Sequence, residues 1–305
     1  MRKINNERHM EIETSASNLD ILRELNKRDA LDEELTKELK RVEAKNSGLK
    51  TVLNHLNHLG KNHWVYMTNV SLDSYNIFNC DLLLMTSTHL YPLEINHYDG
   101  LFEFKEELSL LNGKEPDQLP IESAQCVATL INAFSTIRSI NLDVKGAAIF
   151  PSSTNQIRIY DEVPEIEIVG ADQLDAFIKQ MIRDEKNRKS DEKIDPRYIR
   201  WLREIDQQQP IWTIHISDEM KEHIHPGIAC RACNGFDVTI GKEFVSCPCG
   251  KCEPLEEAIV RTICDYGVLN YEKNLYPPDL HLFFDNQVSM GQIEKCLVKH
   301  FSPVG

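Results

Sequence analysis

The chain has 305 residues and a mass of 35.1 kDa, a length that predicts two or three domains. Its composition, 41% hydrophobic and 27% charged with 13 Gly and 13 Pro, is ordinary for a globular protein and excludes collagen-like or low-complexity architecture. The balance of 34 Lys+Arg against 48 Asp+Glu, a net charge of −14, argues against a protein that coats nucleic acid through bulk positive charge, but allows a local basic groove or carboxylates that hold a metal.

Residues 1–17 are polar and without pattern. No run of 18 apolar residues spans a bilayer, and the first residues contain no apolar signal core, so a cytoplasmic protein with no membrane partner is expected. Leu19, Ile21, Leu22, Leu25, Leu31, Leu35, Leu39 and Val42 recur at helical spacing, with Ser17 or Asn18 as the cap and a break near residues 28–30. This predicts an amphipathic helix that packs on the main domain, on a protein partner or on a second copy through residues 19–45. Gly48 is read as opening a second helix along Leu49, Val52, Leu53, Leu56 and Leu59, closed by Gly60.

From Trp64 the period changes to that of strands. Residues 64–66 and 69–72, 81–85, 89–95 and 101–105 read as strands, the last as an edge. A loop through Gly113, Pro116 and Pro120 leads to a helix over 121–138. Strands follow at 144–150, 157–160 and 166–169, then a helix at 174–182. Residues 183–199 are nearly all charged and mark a boundary. Short helices are expected at 197–205, 254–269, 278–285 and 290–301. The domain reading is an N-terminal helical segment at 1–45, a mixed α/β domain at 46–183, a charged linker with a short helix at 184–210, and a cysteine-rich module with a helical tail at 211–305.

Five of the nine cysteines, Cys230, Cys233, Cys247, Cys249 and Cys252, fall within 23 positions. Two short Cys pairs joined by a hairpin-length loop suit tetrahedral zinc, and Asn234-Gly235 and Ile240-Gly241 are turn signals for the hairpin. The expectation is a structural Zn²⁺ site, a zinc ribbon, with Cys230 and Cys233 plus two of the other three. Cys80, Cys126, Cys264 and Cys296 are scattered and read as small buried hydrophobes.

Asp81 begins one apolar strand and Glu94 ends the next. Carboxylates at facing ends of neighbouring strands can share a divalent cation, as metal-dependent phosphodiester chemistry requires. The runs Asn79-Cys80-Asp81-Leu82-Leu83-Leu84 and Leu93-Glu94-Ile95-Asn96-His97-Tyr98-Asp99-Gly100 lie in a stretch from Gly48 to about Ile182 that resembles the nuclease-related domain (NERD) family. That resemblance implies a restriction-endonuclease-like PD-(D/E)xK fold, a mixed sheet flanked by helices. It implies catalytic positions at Asp81, Glu94 and Asn96, with Gln125 near a helix start at Pro120, and Mg²⁺ or Mn²⁺ if the site is active. The tail and Cys247-Pro248-Cys249-Gly250 resemble the C-terminal part of bacterial, firmicute-type members, which favours Cys230, Cys233, Cys247 and Cys249 as ligands over Cys252.

Two positions depart from the family pattern. Asn96 stands where the resemblance places the catalytic Lys, and Leu49 where it places a Glu after Gly48. Residues 71–130 hold ten acids and two bases, a local balance of 2 − 10 = −8 that repels a phosphate backbone. The expectation is a catalytically degenerate binding or regulatory module, transiently associated with DNA. The alternative is an active divalent-metal-dependent endonuclease using Asp81 and Glu94, with Lys105 as a substitute cation. The two tail helices have the outline of a helix-turn-helix, but Ile293, Leu297 and Phe301 at helical spacing favour packing over DNA reading.

Overall fold

The computed structural model describes residues 18–71, 79–105, 108–116, 119–163, 166–187, 193–207, 214–271 and 273–301, and among them shows a mixed α/β protein. The described residues divide into two compact units, one within residues 41–207 and one of residues 18–40 together with those from 214 to 301.

The first unit is built on a sheet of β1 (Val65–Ser71), β2 (Asn79–Met85), β3 (His89–Ile95), β7 (Gly146–Phe150) and β9 (Ile166–Gly170), in that spatial order, with β6 (Asp143–Val144) also pairing β3. The first three strands form an antiparallel meander, whereas β3–β7 and β7–β9 run parallel. Leu82, Leu84, Tyr91, Leu93, Ile95, Ala147 and Ile149 pack beneath α2 (Glu33–Leu59, of which residues 41–59 belong here) and α4 (Leu174–Asn187). Leu83, Met85 and Leu90 pack on the opposite face with α3 (Pro120–Ile137) and α5 (Pro196–Gln207). Buried on both faces, these strands read as continuous apolar runs. A smaller sheet, β5–β4–β8, comprises Leu108–Leu111, Gly100–Lys105 and Asn155–Ile159, and Phe102 of β4 meets Phe150 at 4.7 Å between ring centroids.

Three expectations are corrected here. Gly48 does not open a helix: α2 runs through it, and a Cβ there would stand 3.1 Å from both Ile95 Cγ2 and Pro151 Cγ. Glycine is used for close approach of helix to sheet, not for a break. The loop expected after residue 105 contains β5, an antiparallel partner of β4 too short to show a period. The charged stretch is not a linker throughout. Within it, Glu185 is buried and accepts from the Ser87 N–H and Oγ at 2.8 and 2.7 Å and from Trp64 Nε1 at 3.0 Å. After it, Trp201 and Leu202 of α5 enter the core.

The second unit contains α1 (Asn18–Lys27), α6 (Asp218–His223), the small sheet β10–β11–β12 (Thr239–Ile240, Phe244–Ser246, Cys252–Pro254) and α7 (Leu255–Leu269), α8 (Pro277–Phe283) and α9 (Met290–His300). Ile263, Leu280, Phe284, Val288 and Ile293 form its core, so Ile293 of α9 serves packing. In the first turns of the segment expected to pack through residues 19–45, Ile21 and Leu25 pack within this unit with Ile216 and Leu269. Arg28, just beyond α1, is fully buried. It contacts Glu24 Oε1 at 2.6 Å, donates to the His225 carbonyl at 2.8 Å, and lies over the Phe283 ring at 4.1 Å.

Candidate functional site

In the first unit, Leu82 faces Leu93 across the β2–β3 pair, so one further step sets Asp81 opposite Glu94. Both carboxylates are buried, 3% and 7% exposed. Asp81 Oδ2 accepts the Ile95 N–H at 2.8 Å, and Oδ1 pairs with Lys45 Nζ of α2 at 2.5 Å. Glu94 accepts from the Asp81 N–H and the Ser123 hydroxyl in the first turn of α3, while its Oε1 lacks a hydrogen-bond partner among the described residues. Asn96, two residues on and therefore on the same face as Glu94, donates its N–H to the Ile149 carbonyl at 2.8 Å. Its side-chain Nδ2 is buried and also without a partner, as is His97 Nδ1. Buried polar atoms left unpaired are costly, and a group of them at one strand end marks a place where a ligand can be held.

Burial, then the Asp81 charge beside it, pushes the Glu94 carboxyl well above its ordinary pKa, with Lys45 opposing. Burial would lower Lys45, but the Asp81 carboxylate, aided by Glu94, outweighs it and raises the pKa, so the ammonium stays charged. The linkage has a definite sign. A folded-state carboxyl with a raised pKa binds its proton more tightly than the unfolded chain does, so stability falls as pH rises above the unfolded value. Glu94→Gln, which cannot ionise, is expected to raise the thermal midpoint near about pH 8 and to change it little near about pH 4. A midpoint at the higher pH that stays level or drops removes this account of Glu94.

The other candidates are placed differently. Gln125 lies in the second turn of α3, and Ser123, in the first turn, donates to Glu94. Leu49 is buried in the core under α2. Lys105 is exposed on β4, in the smaller sheet, and the cation beside Asp81 is Lys45 instead. Lys45 was missed because it fell at an expected domain edge. A signal was present: Lys45, Leu49, Val52 and Leu56 share one helical stripe, and a lone charge in an apolar stripe needs a buried partner.

In the second unit, the sulfurs of Cys230, Cys233, Cys247 and Cys249 all lie within 4.8 Å of one another and could hold a metal ion such as zinc. Cys230 Sγ is 3.6 Å from Cys249 Sγ, and Cys233 Sγ is 3.6 Å from Cys247 Sγ. Four sulfurs at about 2.3 Å around a tetrahedral zinc stand roughly 3.8 Å apart, so the cage fits. Two tight turns build it. Asn234, at φ 58°, donates its N–H to the Cys230 carbonyl at 2.9 Å. Gly250, at φ 88°, does the same to Cys247 at 2.9 Å, a conformation in which a Cβ would be strained. Cys252 is outside the group, its Sγ 3.6 Å from Ser246 Oγ. Burial of Cys230 pushes its thiol up, yet the Ala232 and Cys233 amides, with the neighbouring Cys247 and Cys249 sulfurs, hold it down to about 6, which favours a thiolate.

Comparison of the chain with protein-family models, with curated proteins and with solved structures gave no match. Among the described residues no helix is long and apolar enough to cross a membrane.

Proposed function

We propose that residues 41–211 form a nuclease-related, PD-(D/E)xK-like domain that binds nucleic-acid phosphodiesters with a divalent ion at Asp81 and Glu94, and turns them over poorly. It acts as a binding or regulatory module in transient contact with DNA. The four-cysteine cage of the second unit is a structural zinc site. The observation that carries the first reading is the placement of Asp81 directly across from Glu94, with Glu94 Oε1 buried and unpartnered. The order helix, three-stranded meander, helix, parallel strand supports it, with the two acids on the second and third strands.

Poor turnover follows from the chemistry of two positions. Asn96 offers a dipole where a charge would stabilise the attacked phosphate, and Leu49 adds no carboxylate to a metal. Losing one preorganised charge-stabilising group costs about 10²–10³ in rate. An active endonuclease is the second reading, favoured by one observation, the Lys45 ammonium at Asp81.

A plasmid-nicking series with Mg²⁺ or Mn²⁺ separates them. Wild type is expected to cut at most weakly, Asn96→Lys to gain activity partially, and Asp81→Ala to lose what there is. Robust cutting by wild type that Asp81→Ala abolishes makes the active-nuclease reading correct. Divalent-ion binding that is indifferent to Asp81→Ala rejects both.

A further inference from the structure

The Asp81 carboxylate uses its two oxygens unequally. Oδ2 accepts the Ile95 amide, an internal bond of the β2–β3 strand end, and Oδ1, the oxygen without that backbone bond, carries Lys45 Nζ. A divalent ion approaching Oδ1 therefore meets the ammonium already seated there. The two partners also differ in exposure: the Asp81 side chain is 5% exposed and that of Lys45 is 32% exposed. The lysine stem thus reaches inward from the mouth of the site. Gly48, three residues along the same helix, lets α2 lie against Ile95 and Pro151, which brings the base of that stem within reach of Asp81. Four rotatable methylenes allow the head to move without moving the helix. Arg41, one turn earlier, is close enough to act electrostatically on Lys45.

We propose that Lys45 is an exchangeable cation: it neutralises Asp81 in the metal-free protein and turns to the phosphate of a bound phosphodiester when a divalent ion takes Oδ1. It thereby supplies from a helix the positive charge that Asn96 does not supply from β3. This rests on the reading of Asp81 and Glu94 as a phosphodiester site.

A purely structural lysine and an exchangeable one make opposite demands on a single variant. Lys45→Met removes the competitor for Oδ1, so Mn²⁺, titrated by electron paramagnetic resonance, should bind several-fold tighter. The same variant should bind a fluorescein-labelled DNA duplex roughly tenfold to a hundredfold more weakly in saturating Ca²⁺, the loss of one charged contact. The salt slope of that binding should fall by about one. Lys45→Arg should keep most of the DNA affinity, and Lys45→Met with Asn96→Lys should recover part of it.

Tighter metal binding with unchanged or stronger DNA binding overturns the phosphate role, and weakening of both shows Lys45 to be structural only. Failure of the underlying reading looks different: wild type would bind neither Mn²⁺ nor DNA in a way that Asp81→Asn alters, and the proposal would fall with it.

Discussion

Chelation of the purified protein, or Cys249→Ser, is expected to unfold residues 225–255 while Cys252→Ser leaves them intact. The β10–β11–β12 strands are two to three residues long, and only a few side chains of this segment, such as Ile228 and Val245, reach a core. Strands so short cannot offset their own ordering entropy, and isolated hairpins are marginal even when longer. A structural zinc contributes about 10–16 kcal/mol to such peptides, as much as the whole stability of many domains. Metal analysis of reduced, chelator-free protein should find one zinc per chain, near zero in Cys249→Ser and unchanged in Cys252→Ser. Hydrogen exchange should show protection of residues 225–255 lost together with the metal. Wild type without metal, or a Cys252→Ser that loses it, would falsify the assignment of ligands.

Arg28→Met is expected to destabilise the second unit by about 3–5 kcal/mol, the range for removing one partner of a buried ion pair. The guanidinium is fully buried and binds three parts of the unit at once. Nε meets Glu24 of α1 at 2.6 Å, Nη1 donates to the carbonyls of His225 and Gly227 at 2.8 and 3.2 Å, and Nη2 stands 3.5 Å from Asp265 of α7. Phe283 and Phe236 flank it at 4.1 and 5.4 Å. Methionine keeps the apolar stem but leaves two carbonyls without their donor, leaves Glu24 with Lys27, and leaves Asp265 to Lys27 and, at 3.8 Å, Arg261. Urea unfolding followed by circular dichroism should show the loss, and zinc content should hold at low denaturant. A change smaller than about 1 kcal/mol would mean that water replaces the guanidinium without cost.

Much of this architecture was legible in the residues themselves. The apolar runs at 81–85 and 89–95, the helix after Pro120, and the cysteine spacing with Asn234 in its turn are local patterns, set by period, by proline geometry and by which residues tolerate positive φ. The pairing of Asp81 with Glu94 was within reach for the same reason, since consecutive antiparallel strands joined by a short turn have a nearly forced register. The four-cysteine choice was legible only through a resemblance, because five thiols at such short spacings satisfy several pairings equally well.

Contacts between segments far apart in sequence could be decided only by tertiary structure. Gly48 looks like a helix boundary when local propensity is considered alone. In the fold it is the point of closest approach to Ile95 and Pro151, a packing constraint that no neighbouring residue encodes. Arg28 falls at an expected helix break and Glu185 in a charged stretch, yet each is buried because distant carbonyls, amides and carboxylates converge on it. Lys45 and Asp81 lie 36 positions apart, on a helix and a strand whose relative placement depends on how α2 lies across the sheet. Sequence periodicity determines which face of each element is apolar. Which lone charge in an apolar face meets which other is set by the packing of those faces, and there the charge environment of Asp81 was decided.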